Sequence, residues 1–209
     1  MLRALILSLS GLCFVSSIAY AGSYEAEIKT HKMTGAVNVV EGAKAVLVST
    51  EAGISGSFTT KGLVPGNIYT MWVAIMNKPE ACEMKNVDHC TGKDVLKRAD
   101  AVDSDVTYGD GVIAAEDGTA TFRTFVPAGK LGYSWLGNAL NNPTGAEIHF
   151  ALHDHGPMIE GKAHDMLTTP RGACMEESLP KPWPASARAG GEPGPNKCTM
   201  AQFAIFKQK

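Results

Sequence analysis

Fourteen residues from His153 to Met166, HDHGPMIEGKAHDM, bring together three imidazoles and two thioethers. That mixture suits copper, above all Cu(I), and imidazole alone also suits zinc. On an extended chain the alpha carbons of His153 and His155 stand about 6 to 7 Å apart, so two rings can reach one ion. With Met158 and His164 close behind, the metal-ligand set read from the sequence is His153, His155, Met158 and His164. The plainer alternative leaves the imidazoles on a solvent face and uses Met158 and Met166 to fill gaps under a loop. His149 lies about 13 Å from His153 by the same rise and takes a separate binding role.

The element that must position these rings is Ala146–Pro157, AEIHFALHDHGP. Strand side chains alternate between faces, so Ala146, Ile148, Phe150 and Leu152 share one side. Glu147, His149, Ala151, His153 and His155 share the other. This is the pattern of a half-buried antiparallel strand, with a packed apolar face and an outward imidazole face. Upstream, Gly62–Met76 runs from a Pro65-Gly66 turn into a stretch apolar on both faces, the mark of a central strand. Leu63, Pro65 and Tyr69 are spaced like the tyrosine corner of fibronectin type III and immunoglobulin-like sandwiches, in which the tyrosine hydroxyl ties back to the corner backbone.

Other runs, Ser23–Lys29, Val37–Val40, Ala45–Ser49, Ile54–Thr60, Val106–Ala115, Thr119–Val126 and Thr199–Lys207, also read as strands. Asp117-Gly118 between two of them predicts a hairpin. Asp94–Asp100 reads as a short helix, and Lys130–Leu140 as a turn of helix across one end of the sheets. Roughly eight strands with regular turn signals predict an all-β fold, an antiparallel sandwich of immunoglobulin-like or Greek-key type with long disulfide-closed loops. Pro180–Lys197 holds five prolines and three glycines in eighteen residues and reads as a mobile surface loop. Trp183, between two prolines in that loop, is the aromatic least explained by core packing and is a candidate binding residue.

Residues 1–21 combine Arg3, an apolar run from Ala4 to Val15 and the small-x-small triplet Ala19, Tyr20, Ala21. This predicts a cleaved secretory signal peptide, with 22–209 as a single domain in the periplasm or outside the cell. No later run is long enough to span a membrane. Without Arg3 the charge is 18 basic against 21 acidic residues, which favours neither nucleic acid nor anionic lipid as partner. Removing Cys13 leaves four cysteines, and an even number in an exported chain argues for disulfides. Of three connectivities, Cys82 with Cys90 and Cys174 with Cys198 is preferred because each pair brackets a loop-like stretch. A four-cysteine zinc site lacks the close pairs it needs.

The segments GLVPGNIYTMWVAIMNKPEAC, AEIHFALHDHGP and the terminal cysteine followed by AQFAIF resemble a family of secreted, mostly bacterial proteins whose function is uncharacterised. The resemblance implies a β-rich exported domain with those cysteine pairs and brings no reaction or ligand with it. His149 and His155-Gly156-Pro157 match its pattern, whereas other residues often stand at the position of His153. A superoxide dismutase has a similar GL-x-PG turn, but the strand after it, IYTMWVAIM, holds no histidine here. Ser55 in GISGS lacks a nucleophile elbow, no glycine loop opens a phosphate site, and Asp100, Asp103, Asp105 and Asp110 do not match a calcium loop and read as a solvated run. The sequence therefore predicts a non-enzymatic domain that binds an unknown protein or small ligand, with copper or zinc binding as the alternative.

Overall fold

The computed structural model describes residues 22–84 and 86–208, and the signal peptide read at 1–21 lies outside them. Two antiparallel sheets face each other. One contains β1 (Gly22–Ala26), β3 (Lys44–Thr50), β4 (Gly53–Thr60) and β7 (Ala120–Pro127) in that order. The other has the order β2 (Lys29–Thr30), β11 (Thr199–Lys207), β10 (Glu147–Pro157), β5 (Asn67–Met76) and β6 (Ser104–Ile113). The fold is an all-β sandwich, as the turn spacing predicts.

Between the sheets the period-two pattern places Leu47, Ile54, Phe58 and Phe122 against Met71, Val73, Ile148, Phe150 and Phe206, all fully or almost fully buried. Each such side chain stabilises by roughly 1.5 to 3 kcal/mol. A Cβ on Gly56 of β4 would overlap the Phe150 ring, so GISGS is a packing device that lets the sheets close over Phe150. At the corner, the Val64 N–H donates to the Tyr69 hydroxyl at 3.0 Å. Burial and the nearby Asp154 carboxylate push the Tyr69 pKa well up, which keeps that hydroxyl neutral.

Several readings change. Asp117 and Gly118 make a local turn, but β6 pairs with β5 and β7 with β4, so the chain crosses between sheets there instead of forming a hairpin. Residues 130–140 carry no helix: β8 (Gly129–Lys130) pairs with β9 (Ala139–Leu140), and Tyr133 and Trp135 lie in the loop between them. Val37–Val40 makes only an isolated bridge, Lys29 to Val39, with Val37 and Val39 exposed.

The acidic run at 100–110 is not a solvated loop either. Asp105 lies on β6, is fully buried, and its carboxylate accepts from Ser134 Oγ at 2.6 Å and from the Trp135 and Leu136 N–H groups at 3.0 Å. It fixes the loop that carries Trp135 onto the sheet. Nearby, α1 (Gly92–Lys97) and α2 (Ala99–Val102) replace the single expected helix. Asp94 anchors α1: burial alone would raise its pKa, yet donors from Glu83 N–H, Thr91 and Arg98 hold it down at about 2.

Both preferred cysteine pairs are bonded, Cys82 with Cys90 and Cys174 with Cys198. Among the described residues no helix is long and apolar enough to cross a membrane.

Candidate functional site

The imidazole face of β10 does not look outward. His153 and His155 are both fully buried, because the chain after β10 folds back over this side of the five-stranded sheet. That cover includes α3 (Ala163–Thr168), α4 (Ala185–Ala189) and the proline-rich stretch. The stretch is packed, contrary to its reading as a mobile loop: Trp183 and Ala187 are buried, and Cys174 bridges in parallel to Asn196. Asn196 holds it to β10, donating through Nδ2 to the carbonyls of His155 at 2.7 Å and Pro157 at 2.9 Å. Gly156 is required at the contact, with φ of +79° and a Cβ position that would crowd Asn196. A pattern of period two identifies a strand's faces but not what returns from forty residues away to cover one of them.

Under the cover, a chain of hydrogen bonds runs from strand to strand. The Trp72 indole N–H donates to the Thr70 hydroxyl at 2.8 Å, the hydroxyl bonds His155 Nε2 at 2.8 Å, and His155 Nδ1 bonds the Gly172 carbonyl at 2.9 Å. A carbonyl can only accept, so Nδ1 carries the proton and Nε2 takes the one from Thr70. His155 therefore has no free lone pair. Burial brings its pKa down to about 4, against the upward pull of the Gly172 carbonyl and of Asp165. Thr70 was visible in the sequence as a polar residue in an otherwise apolar run, whereas nothing there signals Gly172.

His153 differs. Its ring lies 4.6 Å from that of His155 and 4.9 Å from that of Trp183, yet neither of its nitrogens has a partner in hydrogen-bond geometry. The Pro170 carbonyl offers only a weak contact, and burial, with His155 alongside, holds the pKa well below 6.5. An unpartnered buried polar group of this kind costs about 1 to 3 kcal/mol. Met158 stands 55% exposed past the end of β10, and His164 is exposed on α3. The structure thus brings His153 and His155 together and leaves Met158 and His164 at the surface.

No protein-family model, curated protein or solved structure matches this chain. Its chemistry has to be read from its own geometry.

His149 is half-buried and bonds the buried Glu147 carboxylate at 2.7 Å, which also accepts the Cys90 N–H at 2.7 Å. Its ring lies 6.1 Å from that of His89, which lines a hollow of about 360 Å³ with Phe203 and Lys207. Trp183 packs against Trp135 at 4.9 Å with the rings inclined by 60°, and Trp135 lies 5.1 Å from Trp72. Together the three indoles floor a small apolar recess of about 140 Å³. The recess shares Gly92, Leu96, Trp183 and Met200 with a larger cleft of about 690 Å³, within the size range of small-molecule sites. Lys32, Lys93 and Lys97 border that cleft. Lys93 pairs with Glu83 at 3.1 Å, whereas Lys32 and Lys97 have no carboxylate partner among the described residues. The Trp135 Nε1–H is buried without an acceptor in hydrogen-bond geometry, the Tyr133 hydroxyl offering only a weak contact. An apolar floor, an unmet N–H donor and two unpaired ammonium groups suit a ligand with an apolar body and an anionic end.

Proposed function

We propose that this chain is an exported, non-enzymatic binding domain whose cleft over Trp183 takes a small apolar molecule carrying a carboxylate or similar anionic group. The observation that carries the reading is the continuity of the tryptophan-floored recess with a cleft bordered by unpaired Lys32 and Lys97. Apolar walls supply affinity, and a few polar groups fix orientation. The leader-like residues 1–21 and the two disulfides support a location in the periplasm or outside the cell. The metal reading through His153, His155, Met158 and His164 has less support, since His155 uses both ring nitrogens and two of the four residues face solvent.

All three tryptophans of the chain line the recess, so intrinsic fluorescence reports its occupancy. Octanoate titrated into the protein is expected to shift that emission saturably. Octylamine, of similar length and opposite charge, is expected to bind at least about tenfold more weakly, a difference of 1.4 kcal/mol. Lys32→Glu with Lys97→Glu should remove the preference while leaving the apolar floor intact. Equal binding of both probes, or octanoate binding unaffected by the double charge reversal, refutes the proposed ligand class.

A further inference from the structure

The cover over β10 also places two sulfurs beside the unpartnered imidazole. The Nδ1 or Nε2 atom of His153 and the Sγ atoms of Cys174 and Cys198 all lie within 4.8 Å of one another, and all three residues are buried. We infer that reduction of the Cys174–Cys198 bridge turns this cluster into a binding site for one thiophilic ion, Zn²⁺ or Cu⁺, held by two thiolates and the His153 imidazole. The inference is independent of the ligand cleft.

Three observations carry it. The first is that the fully buried ring has a nitrogen lone pair with nothing to bind, whereas buried polar atoms are as a rule paired. The second is that the ligands come from backbone that does not depend on the sulfur bridge. His153 pairs with Met200 on β11, two residues past Cys198, and the Cys198 N–H donates to Ser178 Oγ at 3.0 Å. The Cys174 N–H donates to the Arg171 carbonyl at 2.8 Å, and Met175 and Asn196 close the parallel bridge at 2.8 Å. The two alpha carbons therefore remain near their 5.4 Å separation once the sulfurs part. Tetrahedral bonds of about 2.3 Å to each sulfur need the sulfurs roughly 3.8 Å apart, a small opening from that frame.

The third is the surroundings. His155 Nδ1, whose proton goes to the Gly172 carbonyl, lies 3.5 Å from Cys174 Sγ and sets a polar wall beside it, while the Pro170 carbonyl beside His153 can take the other ring N–H, as an outer partner of a metal-bound imidazole does. Two thiolates, a neutral imidazole and Zn²⁺ carry no net charge, which a buried site favours.

The chemistry balances with a dithiol reductant. One of its thiolates attacks a bridge sulfur, the S–S bond breaks, and its second thiol resolves the mixed disulfide, leaving two thiols here and a disulfide on the reductant. The ion then replaces the two thiol protons, which pass to solvent. Local opening of the cover at Trp183 gives the reductant access. Reoxidation by thiol–disulfide exchange with a disulfide oxidant, which takes the two electrons and leaves as a dithiol, re-forms the bridge, removes both thiolates and releases the ion.

The test uses protein carrying Cys82→Ser and Cys90→Ser, so that one bridge remains, and a phosphine reductant, which becomes its oxide with oxygen from water. Zn²⁺ and Cu⁺ are titrated separately without oxygen, before and after reduction. One equivalent of either ion taken up only after reduction supports the site. His153→Phe keeps a buried ring without the ligand nitrogen and should weaken uptake by more than about 100-fold, beyond the effect of losing an outer-shell partner. X-ray absorption of the loaded protein, which does not depend on that variant folding, should show two sulfur neighbours and at least one nitrogen. No uptake after reduction, equal uptake with the bridge intact, unchanged affinity in His153→Phe, or a shell without sulfur each overturns the inference.

Discussion

His155 and His153 sit side by side with opposite bonding, and the difference has measurable consequences. His155 is neutral in the fold, with a pKa near 4 against 6.5 when unfolded, so between those values the unfolded chain binds the extra proton. Its contribution is complete above about pH 6.5 and is lost as pH falls toward about 4, amounting to about 3 kcal/mol over the window. His153 shifts in the same direction and adds to the same loss. Denaturant unfolding of the disulfide-intact protein at several pH values should show this decline beginning well above the carboxylate range. His155→Leu should lower stability at pH 7 by about 1 to 3 kcal/mol by orphaning Thr70 and Gly172, and should flatten the slope. A slope unchanged in that variant would assign the pH sensitivity elsewhere.

Among the elements, β10 shows why alternation is a limited guide. Its apolar face was legible residue by residue: Ile148, Phe150 and Leu152 are all fully buried. Its other face was polar enough to suggest solvent, but the residues that neutralise that polarity lie on β5 and in the 170–198 return, as Thr70, Gly172 and Asn196. On β4, Gly56 falls within a run read from the sequence only as a strand, and Phe150 occupies the space its side chain would need. Gly56→Ala should therefore destabilise the fold by about 1 to 3 kcal/mol through overpacking, measured by thermal or urea unfolding. Stability equal to that of the parent would mean that the sheets can part at no cost.

For the whole molecule, the two disulfides divide the work unequally. In the chain-entropy view, the longer loop closed by Cys174–Cys198, with a sequence separation of 24, contributes about 3.5 kcal/mol, and the shorter Cys82–Cys90 loop, with a separation of 8, about 2.5. Cys174→Ser with Cys198→Ser should lower the unfolding free energy more than the Cys82 and Cys90 pair does, measured by denaturant unfolding. The reverse order would show that loop length does not set what each bridge contributes. Composition and periodicity by themselves determined the sandwich, the central strand β5 and the tyrosine corner, and favoured the bonded cysteine pairs among three connectivities, because each depends on local turn chemistry, two-residue alternation or the loop a pair brackets. Only the tertiary structure decided that the histidine face is enclosed, that Trp183 packs over it, and that His153 meets Cys174 and Cys198. Those contacts join segments far apart in the chain, and the proline-rich return that makes them has no periodic signal to reveal which face it covers.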